Sequence, residues 1–118
     1  MIRLFALLAA LAAAAAVLTA TGSAKSPGLV GEVGPGFKIE VKMGTKDVKT
    51  LKAGTYTLKV EDKSPMHNFH LIGPGINKKT SVGSTGDQTW TVKLKKGKYT
   101  YQCDPHAARG MKGSFTVT

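Results

Sequence analysis

Five times between Phe37 and Thr118 the chain alternates apolar and polar side chains with a period of two. Phe37, Ile39 and Val41 alternate with Lys38, Glu40 and Lys42, and Tyr56, Leu58 and Val60 with Thr57, Lys59 and Glu61. Trp90, Val92 and Leu94 alternate with Thr91, Lys93 and Lys95, and Tyr99, Tyr101 and Cys103 with Thr100 and Gln102. Phe115 and Val117 alternate with Ser114, Thr116 and Thr118. Successive side chains of a strand point to opposite faces, so each run offers one face to a core and one to water. Turn signals separate the runs at Ala53-Gly54, Gly73-Pro74-Gly75, Gly83, Gly86 and Lys96-Gly97-Lys98. The last break is short enough to join its neighbours as a hairpin. No sustained helical period occurs after the first 24 residues. The pattern predicts an all-β domain, an antiparallel β-sandwich or barrel of about seven short strands.

The N-terminus reads differently. Arg3 precedes an unbroken apolar run from Leu4 to Leu18, and Gly22-Ser23-Ala24 supplies small residues for cleavage. Residues 1–24 are therefore expected to be a secretory signal peptide. The apolar run is shorter than the roughly 18–20 residues a membrane span needs, so no span is expected in the mature chain. Retention of the segment would instead hold the protein at a membrane. Residues 25–36 are Gly- and Pro-rich and form a lead-in, with Leu29 to Val33 a candidate edge strand. Residues 37–118 form the domain. Cleavage leaves 94 residues and, with Arg3 gone, takes the formal charge from +10 to +9. That balance favours acidic partners or surfaces. The lysines are spread singly and are not interleaved with aromatics, which sets nucleic acid aside as a partner.

An exported chain with a single cysteine makes no internal disulfide, so Cys103 must pair between chains, stay buried, react or bind metal. Its surroundings favour metal. The loop Tyr99 to Met111 places Cys103, His106 and Met111 within nine residues. A thiolate, an imidazole and a thioether together suit copper, and a second histidine would complete a His₂Cys site with a weak axial Met. In His67-Asn68-Phe69-His70-Leu71 the apolar Phe69 and Leu71 belong to the core, which turns His67 inward and His70 outward. Periodicity thus selects His67. The plainer readings are a buried small hydrophobe for Cys103, core filling for Met111 and a surface loop residue for His106. Each is reasonable alone, but together they leave the convergence of soft ligands unexplained. His70 reads as an exposed strand histidine, Met66 as a rim contact and Met43 as packing.

Cys103-Asp-Pro-His106-Ala-Ala-Arg-Gly-Met111, with His67-Asn68 upstream, resembles the type 1 copper site of cupredoxins of the plastocyanin, amicyanin and pseudoazurin kind. The resemblance implies a Greek-key β-sandwich, eight-stranded in the family against the seven strands the alternation marks. It also implies one type 1 copper ion on His67, Cys103 and His106 with Met111 as a long axial ligand. It further implies that Asn68 ties its strand to the Cys loop and that its backbone N–H reaches the sulfur. Pro105 has no N–H to offer as a second such bond. Asp104 either caps the loop or contacts Asn68. His106 would be the electron exit, with Pro105, Ala107 and Ala108 around it and Gly73-Pro74-Gly75 nearby. Arg109 and Lys112 flank that patch and suit a redox partner with an acidic docking surface.

The function expected is that of a small exported blue-copper protein, periplasmic or extracellular and monomeric by default. It would shuttle single electrons and turn over no substrate. A copper storage or delivery protein is the alternative, although the chain lacks a Met- or His-rich tail. An enzyme with Cys103 as nucleophile leaves Met111 without a role.

Overall fold

The computed structural model describes residues 26–118, so the proposed signal peptide and its cleavage site lie outside the described residues. Among the described residues, ten strands form two five-stranded sheets. Among the described residues, β1 (Gly28–Val33), β2 (Ile39–Met43), β3 (Lys46–Asp47), β5 (Gly54–Asp62) and β8 (Gly86–Leu94) form the first sheet, in the order β3-β2-β1-β5-β8. The second contains β4 (Thr50–Leu51), β6 (His70–Gly73), β7 (Ile76–Lys79), β9 (Gly97–Gln102) and β10 (Lys112–Val117), in the order β4-β10-β9-β6-β7. Two of the ten, β3 and β4, are only two residues long. A 3-10 helix, Asp104–Arg109, links β9 to β10.

The predicted inward positions fill the space between the sheets. Leu58, Val60, Trp90, Val92, Leu94, Tyr99, Tyr101, Phe115 and Val117 are all buried, as are Leu29, Val33 and Val41. The aromatic rings bind the layers together. Tyr101 stacks on Phe69 with centroids 6.0 Å apart, Trp90 meets Phe69 at its edge, and Tyr99 stacks on Phe115 at 5.4 Å. Such pairs contribute about 0.5–1.5 kcal/mol each beyond the area they bury. Gly31 makes room for this arrangement, since a Cβ there would lie 2.8 Å from the Phe69 ring.

The connectivity departs from the sequence expectation at four places. The sheets are mixed, because β1 runs parallel to β5 and β10 parallel to β4. The segment expected as an edge strand is interior: β1 pairs with β2 on one side and β5 on the other. Its buried Leu29 and Val33 need cover that an edge would not give. The Lys96-Gly97-Lys98 break is no hairpin, because β8 pairs with β5 whereas β9 pairs with β10 and β6. The chain crosses between sheets there, and the crossing is pinned by Tyr99, whose hydroxyl accepts from Lys95 N–H at 3.0 Å and donates to Pro74 O at 2.7 Å.

The fourth departure is Phe37. It is 65% exposed and precedes β2 rather than opening it. Gly34 and Gly36 both adopt positive φ, and this bend swings Phe37 out of the alternation that Ile39 and Val41 follow. Met43 is likewise 39% exposed at the end of β2, so the packing role expected for it is not seen.

Candidate metal centre

Four chain segments converge where β1 and β5 end and β6, β8 and β10 begin. The first is the loop after β9. Cys103 stays extended (φ −92°, ψ 115°) and caps the 3-10 helix, and Pro105 occupies its first turn, where a missing N–H costs nothing. Gly110, at φ 94°, ends the helix in the left-handed region that favours glycine. Backbone bonds close the loop on itself. His106 N–H donates to Cys103 O at 3.1 Å, Met111 N–H to His106 O at 3.3 Å, and Cys103 N–H to Met111 O at 3.1 Å. Cys103 and Met111 are therefore neighbours although eight residues apart, and both are buried.

His67 arrives from an irregular segment, not from the strand that alternation suggested; β6 starts only at His70. His67, Phe69 and Leu71 are buried as alternation expects, but Asn68, which alternation turns outward, is buried as well. The approach is built from short polar turns. Ser64 N–H donates to Asp62 Oδ1, Met66 N–H to Ser64 Oγ, and His67 N–H to Ser64 O. His67 Nε2 then lies 2.7 Å from Gly36 O. A carbonyl only accepts, so Nε2 carries the hydrogen and Nδ1 keeps its lone pair facing inward.

His67 Nδ1 is 3.0 Å from His106 Nδ1, and Cys103 Sγ is 3.6 Å from the former and 3.4 Å from the latter. Among the described residues this is the one cluster of three His, Cys, Asp or Glu side chains that could hold a metal ion. The three donors fit an ion well. A point equidistant from them lies about 1.9 Å from each, close to the roughly 2.0–2.3 Å of imidazole and thiolate bonds to a first-row metal such as zinc. The set is soft, compact and closed to bulk water on the His67 and Cys103 sides.

Two residues beside this cluster were not legible as part of it. Phe37 sets its ring edgewise against both imidazoles, 5.5 Å from His67 and 5.0 Å from His106 between centroids. The Gly- and Pro-rich lead-in that ends at Gly36 gave no sign that the next residue would turn back over the site. Thr80 is buried and binds the segment after His67 from β7's far end. Its Oγ1 accepts from Phe69 N–H and its carbonyl from Asn68 Nδ2. No sequence signal marked it.

The other expected site residues are placed as follows. Asn68 is buried and does join the loop: Nδ2 donates to Asp104 Oδ2 at 2.9 Å, and Asp104 N–H donates to Asn68 Oδ1 at 2.8 Å. Asp104 thus contacts Asn68, one of its two expected roles, and the helix has no side-chain cap. Burial acts to raise the Asp104 pKa, but donors from Gln102, Asn68 and His70 outweigh it and hold the carboxyl at about 2. His70 stands outside the donor triangle. It is not the exposed histidine expected, because its side chain is only 14% exposed and its Nδ1 lies 2.7 Å from Asp104 Oδ1. Ala107 is half-buried, while Pro105, Ala108, Arg109 and Lys112 are exposed. Met66, at 62% exposure, stands open to solvent next to His67 in the chain. The Gly73-Pro74-Gly75 turn is not near His106. It lies at the opposite end of β6, against Gly97 and the Tyr99 hydroxyl.

Residues 36–118 match the family of copper binding proteins described as plastocyanin/azurin. Among solved structures the chain is similar to reduced rusticyanin, at 23% identity and TM-score 0.56 over 77% of this chain and 78% of that one. Rusticyanin from Thiobacillus ferrooxidans also superposes, at 23% identity and TM-score 0.55 over 77% and 76%. Dithionite-reduced auracyanin from Roseiflexus castenholzii matches at 22% identity and TM-score 0.57, over 79% of this chain and 98% of that one. No curated protein sequence matches the chain. No helix among the described residues is long and apolar enough to cross a membrane.

Proposed function

The chain belongs to the plastocyanin/azurin family of copper-binding proteins, and on that premise we propose that it is an exported carrier of single electrons. One observation carries the reading: two imidazole nitrogens and one thiol sulfur form a ready-made triangle around a space for one ion. Copper, when bound, supplies the one-electron Cu(I)/Cu(II) couple. His67, Cys103 and His106 would hold it, and Met111 would serve as a weak fourth ligand.

What the chain contributes is rigidity and a route. The Gly36 carbonyl fixes one imidazole, the closed Cys103–Met111 loop fixes the other and the sulfur, and the aromatic core lies beneath them. Donors held this firmly would need little rearrangement between the two oxidation states of a bound ion, which would keep the cost of each transfer low. His106 is the half-buried member of the set and the exit for the electron. The surface beside it is apolar, with exposed Phe37 and Met66 joining Pro105, Ala107 and Ala108 as the docking face. Arg109 and Lys112 at its margin suit a redox partner with an acidic surface. The protein acts as a monomer outside the cytoplasm and turns over no substrate.

The test is direct. Purified protein given one equivalent of Cu(II) should turn intensely blue, bleach with ascorbate, recover its colour in air and keep its copper against a modest chelator. A colourless product overturns the carrier reading, and a blue protein that surrenders copper to the chelator favours delivery.

A further inference from the structure

His70 is the one histidine the metal site does not use, and its surroundings are too ordered for an idle surface residue. It opens β6, three residues after His67 and on the opposite face. Both ring nitrogens face oxygen atoms: Nδ1 meets Asp104 Oδ1 at 2.7 Å, and Nε2 meets Asn77 Oδ1 on β7. Asp104 follows Cys103 directly and gathers donors on both carboxylate oxygens. Gln102 Nε2 and His70 Nδ1 reach Oδ1, and Asn68 Nδ2 reaches Oδ2. The end of β9, the start of β6 and the irregular segment before it thus grip the residue beside the thiol ligand. The charged groups facing His70 are the Asp104 carboxylate and, across the β6–β7 ladder, Lys79.

We propose that His70 is a positioning residue of the copper site, which clamps Asp104 against β6 and draws the carboxylate's charge away from the Cys103 sulfur. The inference rests on the reading of the site as a type 1 copper centre. A carboxylate next to the thiolate favours Cu(II) over Cu(I) and so lowers the reduction potential. Hydrogen-bond donation to that carboxylate spreads its charge and limits the effect. Partners one step beyond the ligands are known to tune metal sites in this way.

The experiment is a double-variant cycle on the copper-loaded protein, paired with hydrogen exchange on the metal-free protein. His70→Phe should lower the reduction potential and D104N should raise it. In the D104N background, His70→Phe should lose most of its effect, because the charge it screens is gone. His70→Gln keeps an N–H and should restore part of the potential; it also stands in if the Phe variant does not fold. Without metal, His70→Phe should speed exchange of the Asp104 amide about tenfold while leaving β1 and β5 amides unchanged. An unchanged potential together with unchanged Asp104 exchange overturns the proposal, as does an equal potential shift with and without Asp104. Loss of the blue colour in His70→Phe, with colour intact in the wild type, would make His70 a ligand and also overturn it. If the wild type itself does not turn blue, the carrier reading fails, and the exchange measurement still decides whether His70 clamps Asp104.

Discussion

Replacing Asn68 by Ala should unfasten the segment carrying His67 from the loop carrying Cys103. Asn68 is 2% exposed and makes three side-chain bonds: to Thr80 O at 3.2 Å, to Asp104 Oδ2 at 2.9 Å, and from Asp104 N–H at 2.8 Å. The two bonds to neutral groups are worth about 1 kcal/mol each, and the one to the carboxylate about 1.5–3 kcal/mol before solvent screening. Asp104's side chain is 34% exposed, so the last figure belongs at its low end or below. Truncation also strands the buried Thr80 carbonyl, and the whole loss comes to about 3 kcal/mol. Urea denaturation of the metal-free protein is the right assay, because bound metal stabilises the native state and would mask the change. With a slope near 2 kcal/mol/M, the midpoint should fall by roughly 1.5 M. A loss below about 1 kcal/mol would refute the claim that Asn68 is the fastener between the two halves of the site.

Gly73→Ala should cost about 3 kcal/mol in the same assay, because the new Cβ would collide with the Tyr99 ring, which is fully buried and has no room to move. Gly28→Ala, with nothing within 4 Å of its Cβ, is the control and should be near neutral. The Asp104 pKa is lowered in the folded protein from 3.8 to about 2, so its bonds stabilise fully above pH 4 and are lost as the pH falls through 2. The stability gap between wild type and D104N should therefore narrow over that window, and a gap that widens on acidification would contradict the sign. Phe37→Ala should leave the fold intact, the side chain being 65% exposed, while slowing electron exchange with a partner that docks over His106. Stopped-flow rates against an acidic redox protein would show it, and unchanged rates would remove Phe37 from the docking face.

Much of this molecule was legible from alternation alone. Burial followed it at Tyr56, Leu58 and Val60, at Trp90, Val92 and Leu94, and through Tyr99, Tyr101 and Cys103, because a pleated strand with one face covered leaves no other choice. At His67 it gave the right face, but the irregular segment does not keep the parity, since Asn68 is buried beside it. Strand partners were not legible. At Gly97 the chain crosses between sheets, and Tyr99 pins the crossing to Pro74, a residue far along the chain from the turn itself. Phe37 escaped the pattern because backbone conformation at Gly34 and Gly36 overrode its hydrophobicity. Alternation turns His70 outward but reports only which face a side chain takes, not what waits there; Asp104 and Asn77 wait there.

Copper is expected to sit on His67, Cys103 and His106. X-ray absorption at the copper edge of the loaded protein tests it most directly. The near shell should hold two imidazole nitrogens and one sulfur, unchanged by His70→Ala and stripped of the short sulfur by Cys103→Ser. A near shell without sulfur, or one holding a third imidazole that disappears in His70→Ala, would contradict it.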